Sequence, residues 1–239
     1  MIPLVAEIKA ALGIGEVSAP APPAAPLVTP DLLLHLGWLD PEKWAFDLWP
    51  ACQRHGITTP ARVAMALSNF THETGGGVKL AESLNYTPEA LLKQWPKHFT
   101  PEAAQQLGRT PGKAADQRGI ANAAYGGRMG NLLPGDGWTY RGAGLIQATG
   151  RTWFTQLAKV TKRPIETLPE WLQTRSGAAE SGCALWEWIG CNKLADAGDL
   201  VQCRAMVNVG HWPVKEEDII GLDDVRKLWL RAKAALGVA

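Results

Sequence analysis

Cysteine is scarce in this chain of 239 residues: Cys52, Cys183, Cys191 and Cys203 form no C-x-x-C pair and are too few for a disulfide scaffold. They read as reduced core thiols, with a bridge from Cys183 or Cys191 to Cys203 left open. An excess of either charge is missing too. With 24 basic against 23 acidic residues, interleaved and summing to +1, no nucleic-acid footprint is indicated. Five scattered histidines and no cysteine cluster argue against a metal centre. "HETGG" has Gly76 where a zincin helix needs its second histidine. Cys183, Cys191 and Ser83 have no histidine signature nearby, which argues against nucleophilic catalysis, and "GRTPGKAADQRG" lacks phosphate-loop spacing. The N-terminus has neither a basic start with a sustained apolar core nor an apolar stretch near 18 residues. No standard signal peptide, membrane span or stable membrane insertion is therefore expected, and folding in a cytoplasm is.

Apolar residues make up 46% of the chain, an ordinary share for one substantial core. Residues 4–12 suit a short amphipathic helix, while Ser18 to Pro30 is a proline- and alanine-rich linker, so residues 1–30 are set apart from a domain at 31–239. That domain reads as all-α, with few alternating apolar runs. Thr59 caps a helix that starts at Pro60, with Val63, Ala66, Leu67 and Phe70 on one buried face. Further helices are expected at 88–95, 101–107, 114–125, 151–160, 178–189, 197–207 and 222–236. The last carries Leu222, Val225, Trp229 and Ala232 as a docking stripe, with Asp223 and Asp224 in its first turn. Arg226 lies beside that stripe and on pattern alone is a solvated surface arginine. Eleven tryptophans raise the question of sugar stacking, but Trp186, Trp188 and Trp229 sit in apolar-periodic segments and read as core.

The stretch "FTHETGGGVKLAESLNY" holds two glutamates nine residues apart. Glu73 falls at the edge of the apolar stripe, where partial desolvation suits a general acid. A straight helix would turn Glu82 to the opposite side, roughly 13 Å further along the axis. Gly75, Gly76 and Gly77 make that continuation costly and permit a turn that brings Glu82 back to face Glu73 across a groove. One protonated carboxyl and one ionised carboxylate flanking a sugar are what glycoside hydrolysis needs. On spacing alone the favoured reading is a helix-end and an exposed loop glutamate. "GDGWTYRGAGLIQATGR", Gly135 to Arg151, adds a glycine-rich loop with aromatic, arginine and amide side chains, suited to close approach by a ligand.

Five segments in this order, "AMALSNFTHETGG", "AESLNY", "YGGRMGN", "GWTYRGAGLIQATGR" and "GLDDVRKLW", resemble glycoside hydrolase family 19. The likeness is to its chitinase-like bacteriophage and prophage endolysins, and it runs from about Asp31 to the C-terminus. It implies a two-lobed, lysozyme-like, mainly helical fold with a central cleft, and inverting hydrolysis of β-1,4-linked N-acetylated sugars without metal or organic cofactor. By position, Glu73 is similar to the general acid, Glu82 to the base, and Thr149 to the hydroxyl residue that holds the attacking water. Gln147 is similar to a substrate-contacting amide, Asn208 to the asparagine of the "NGG" loop, and Arg226 to an arginine that approaches the acid. Tyr86 and Tyr140, in "AESLNY" and "GWTYRG", are counted with the substrate-binding residues.

The chain departs from the family's run at Ala143, Ala148 and Val209, of which Ala143 and Val209 are expected to line the cleft. The resemblance implies peptidoglycan glycan strands as substrate, cleaved by a monomer that is held in the cytoplasm before release and acts on the wall from the periplasm. A chitinase, a secreted antibacterial effector and an inactive wall-binding module are the alternatives.

Overall fold

Four times the chain writes threonine-proline at a helix start. Thr29, Thr59, Thr87 and Thr100 are extended residues whose hydroxyls accept from the backbone N–H of Leu32, Arg62, Ala90 and Ala103, with proline at the first helical position. Proline there loses no hydrogen bond and presets φ, while the threonine satisfies one of the first-turn N–H groups. These pairs open α1 (Pro30–His35), α3 (Pro60–Thr74), α4 (Pro88–Gln94) and α5 (Pro101–Leu107), with α2 (Pro41–Arg54) between the first two. Then follow α6 (Gln117–Tyr125), α7 (Asp136–Thr139), α8 (Arg151–Thr161), α9 (Leu168–Trp171), α10 (Arg175–Trp188), α11 (Cys191–Asp196), α12 (Leu200–Asn208) and α13 (Leu222–Ala235). This computed structural model describes residues 25–238. The helix expected at residues 4–12 and most of the linker lie outside them.

The expected all-α class is what the described residues adopt; β-pairing among them is limited to isolated bridges such as Ala81 with Ala143 and Ala143 with Ala148. Three helices start at a cap rather than where the apolar pattern begins: Asp116 opens α6, Thr174 opens α10 and Asp199 opens α12. The helix expected to bury one face, α3, is instead surrounded. Every residue from Val63 to Thr71 is buried, because α11, α12 and α13 pack around it. Ser68, Thr71 and Thr74 survive inside by donating their hydroxyls back to the carbonyls of Met65, Leu67 and Phe70.

Two separate apolar clusters make two lobes. The larger gathers α1–α3 and α8–α13 around Leu33, Leu48, Leu67, Phe70 and Trp186. In the smaller, α4–α6 close over Leu84, Leu91, Phe99, Ile120 and Ala124. Trp186 is core as expected, but Trp188 is 50% exposed, because two residues further along α10 it is turned about 200° round the helix, away from the core. On α13 the buried stripe is Leu222, Val225, Leu228 and Ala232; Trp229 is half-buried under the Lys233 ammonium. All four thiols are buried and unbridged. Cys183 faces Cys52 at 3.8 Å, and burial pushes the Cys183 and Cys203 thiols up.

The lobes join just after α3. Gly75 caps that helix in the left-handed region, and Gly76 and Gly77 follow at φ of +73° and +80°. A Cβ on Gly76 would lie 2.6 Å from the Gly37 carbonyl oxygen, and one on Gly77 would lie 2.6 Å from the Trp44 ring, whereas Gly75 faces open space. Gly75→Ala should therefore cost about 1 kcal/mol, the left-handed penalty alone, and Gly76→Ala about 3 kcal/mol or more. Urea unfolding of the two variants measures the difference, and equal costs would contradict the steric account.

Candidate active site

Glu73 occupies the last turn of α3, its side chain 17% exposed, with Oε1 in contact with the guanidinium of Arg204. Arg204, on α12, is buried, and it also donates from Nε and Nη2 to the Ile220 carbonyl at 3.0 and 2.7 Å. Asn69, one turn before Glu73, takes a longer contact of 3.5 Å from the same guanidinium. Glu73 Oε2 has no hydrogen-bond partner among the described residues. His72 reaches out of the helix to Asp224 at 2.6 Å and ties α3 to the start of α13.

Past the glycine turn, Glu82 lies on an extended segment whose N–H donates to the Gly142 carbonyl at 2.8 Å. Its carboxylate is held at both oxygens, by the Tyr125 hydroxyl at 2.6 Å and the Gly142 N–H at 3.2 Å. Burial first, then the Glu82 charge, pushes the Tyr125 phenol well up, so it stays a donor. Burial pulls the Arg141 guanidinium down against the opposing pull of Glu82; it stacks over Trp138, and its buried Nε has no partner.

Gly142 assembles the rest. A Cβ there would come within 3.2 to 3.3 Å of Gln147 Oε1, Glu82 Cβ and Thr149 Oγ1. The Thr149 hydroxyl donates to the Gln147 carbonyl at 2.9 Å, leaving its lone pairs to accept. Gln147 and Thr149 line a cleft of about 210 Å³ together with Asn208, Ile146, Trp153 and Val209. Asn208 accepts from the Ile220 N–H at 2.9 Å, which leaves its amide N–H groups for a ligand.

The structure thus gathers Gln147, Thr149 and Glu82 around Gly142 and lines the cleft with Asn208, while Arg204, one turn before Asn208 on α12, holds Glu73. Tyr86 is half-buried, edge-on to Trp95 in the smaller lobe, and its phenol is pushed up by burial and then by Glu82. Four expectations change. Tyr140 is only 4% exposed, packed on Phe154 and under Arg151, and presents no face to a sugar. Arg226 pairs with Asp223 on its own helix at 2.7 Å; the arginine at Glu73 is Arg204. Gln147 spends its amide N–H groups on the Lys79 and Gly144 carbonyls, at 3.0 and 2.9 Å, so it offers a ligand an acceptor only. Ala143 is buried in the bridge to Ala81, and it is Ala148 that lines the cleft with Val209.

Arg204 and Tyr125 were not picked out from sequence. Arg204 lies in "VQCRAMVN", where its single charge on an apolar helix is the one available signal, and Tyr125 opens the "YGGRMGN" segment but by pattern reads as a tyrosine packed at the end of α6.

Two helical lobes joined by a turn with a carboxylate on either side define a lysozyme-like, all-α protein. No family model matches the chain. It is 32% identical, over 180 residues, to a Haemophilus influenzae protein described as glycosyl hydrolase family 19 domain-containing protein, an alignment covering 74% of this chain and 81% of that relative. The chain belongs to glycoside hydrolase family 19.

The loop that carries Gly142 is anchored by Asp136, which is buried and accepts from Arg151 at 2.9 and 2.7 Å and from the Leu133 N–H at 3.0 Å. The Arg151 hydrogen bonds hold its carboxyl below the usual 3.8. A depressed carboxyl contributes stability above its unfolded pKa and loses it as pH falls through the folded one, so the contribution fades below about pH 4. Asp136→Asn should lose about 3 kcal/mol at pH 7, where Arg151 is left unpaired, and less at pH 3. Urea midpoints of both proteins at the two pH values check this; a pH-independent gap would refute it.

Proposed function

We propose that this protein is an endolysin-type glycosidase that hydrolyses β-1,4 bonds in the glycan strands of bacterial peptidoglycan with inversion, lysing the cell. The observation that carries the reading is the pairing of one free carboxyl oxygen at Glu73 with a fully held carboxylate at Glu82, beside a threonine whose proton is already committed. Glu73 delivers a proton from Oε2 to the leaving glycosidic oxygen while Arg204 fixes Oε1. A water donates one hydrogen to Glu82 and the other to the lone pairs of Thr149. Its own lone pair is then aimed at the anomeric carbon from the face opposite the leaving group, and Glu82 takes the proton. Gln147 Oε1 accepts from an acetamido N–H, and Asn208 donates to a sugar oxygen.

The peptidoglycan assignment rests on the five ordered segments shared with phage endolysins, and family membership supports the coarser glycosidase class. In this reading the protein works as a monomer, waits in the bacterial cytoplasm and meets its substrate in the periplasm. Chitin is the competing substrate.

Glu73→Gln should abolish lysis of outer-membrane-permeabilised cells, losing more than about 3 kcal/mol of transition-state stabilisation, with fold and glycan binding retained. Proton NMR of the first-formed product should show the α-anomer, and a β-anomer first would exclude inversion. Reducing-end analysis of digested peptidoglycan identifies the bond cut. Wild-type lysis by the glutamine variant would remove Glu73 from the mechanism.

Tyr125→Phe removes a hydrogen bond to a charged base, a contact worth about 1.5–3 kcal/mol. It should lower kcat by about one to two orders of magnitude with KM little changed, since the phenol touches the base and not the sugar. An equal rise in KM with unchanged kcat would assign it to substrate binding instead.

A further inference from the structure

Beside the cleft, α8 presents a face that no element of the fold covers. Thr152, Thr155, Gln156 and Lys159 follow one another at i, i+3, i+4 and i+7, a single stripe along the helix, while Phe154 and Leu157 turn the other way into the core. Together with Arg151, Trp153 and Trp188 they line a groove of about 560 Å³, within the size range of ligand pockets. Its floor is two indoles in edge-to-face contact, with centroids 5.7 Å apart, and Trp188 is half exposed. Trp153 lines both the groove and the cleft of Gln147, Thr149 and Asn208, its ring bordering Gly210 on the cleft side. The two spaces are therefore neighbours, divided by one aromatic wall.

We infer that this groove is an outer binding site for the same glycan strand that occupies the cleft, with Trp153 and Trp188 carrying sugar rings and Lys159 meeting an anionic substituent of the strand. The inference rests on the glycosidase reading and extends it to substrate class. Flat apolar faces of pyranose rings suit indoles, and hydroxyls and acetamido groups suit the Thr155 and Gln156 side chains. Charge decides between polymers. No acidic side chain lines the groove, Arg151 is already engaged by Asp136, and Lys159 is exposed with no ion-pair partner among the described residues. Chitin carries nothing for that ammonium to meet, whereas peptidoglycan bears stem peptides ending in carboxylates. The groove accordingly favours the peptide-bearing strand.

Calorimetric titration of the Glu73→Gln protein, alone and combined with Trp188→Ala, Trp188→Phe or Lys159→Glu, separates the parts. The probes are peptide-bearing glycan fragments, a chitin oligomer of the same length, which carries no anionic group, and a chitin trisaccharide too short to leave the cleft. Trp188→Ala should weaken both long probes about tenfold and the trisaccharide not at all, a change of about 1.4 kcal/mol, with Trp188→Phe recovering part of the loss. Lys159→Glu should weaken the peptide-bearing probe only. Unchanged affinity in the Trp188→Ala protein, with its melting temperature preserved, overturns the groove. Equal loss of the long chitin oligomer and the peptide-bearing probe on Lys159→Glu overturns the anionic preference. If the protein carrying Glu73 and Trp188 binds as expected but cleaves none of the long probes, the catalytic reading fails and the groove stands.

Discussion

Three consecutive glycines with positive φ, wedged where the end of α3 meets Gly37 and Trp44, constrain everything that follows along the chain. The helix cannot continue through them, and the close approach of backbone at Gly76 and indole at Gly77 admits no side chain. α3 is the most buried helix of the larger lobe, so its end is a fixed point against which the turn is set. From there the chain passes directly into the segment that pairs with Gly142 and then into the smaller lobe. One turn thus settles both where the lobes separate and which side of the opening receives Glu82.

The polar groups around the cleft share a pattern: each gives one atom to the scaffold and keeps another for chemistry. Glu73 yields Oε1 to Arg204, Asn208 its oxygen to the Ile220 N–H, Gln147 its amide hydrogens to two carbonyls, and Thr149 its proton to Gln147. Glu82 is the exception, with both oxygens held, which suits a group whose task is to stay ionised and in place. A site built so loses little on reaction, because its dipoles are already oriented before substrate arrives.

How far the sequence carries this depends on what sort of information each feature needs. Helix starts were readable at Thr59-Pro60, Thr87-Pro88 and Thr100-Pro101, but the Thr29-Pro30 helix was not anticipated, and the starts set by Asp116, Thr174 and Asp199 were misplaced by three residues. Four such pairs open helices, while Thr110-Pro111 leads instead into a turn at Gly112, whose φ is +79°. Helix α2 was not anticipated; it carries Pro50 in its interior, and α3 was assigned one buried face although it is enclosed. Periodicity reports an amphipathic face well and burial on all sides poorly, since small residues such as Ala64 and Ser68 read as neutral. The triglycine turn and both glutamates were visible because backbone freedom and charge are local properties. Tyr140, Arg204 and Trp188 were assigned differently, or not at all, because each depends on contacts outside its own segment: Phe154 and Arg151 cover Tyr140, Arg204 meets Glu73 across 131 positions, and Trp188 stands against Trp153. Arg226 pairs with Asp223 one turn away, as its pattern as a surface arginine suggests.

The position of Arg204 explains why a buried cation is tolerable beside a working carboxyl. A guanidinium taken out of water is costly unless its donors are used, and here Nε and Nη2 share the Ile220 carbonyl while Nη1 divides between Asn69 and Glu73. The same Ile220 residue donates its N–H to Asn208, so one short loop before α13 fixes both the arginine behind the acid and the amide at the cleft wall. Displacing that loop would therefore disturb acid and binding wall together, even though no residue of the loop itself carries the chemistry. His72 and Asp224 pin the start of α13 just beyond it, which gives this hydrogen bond at the end of α3 a structural reason that a catalytic role would not supply.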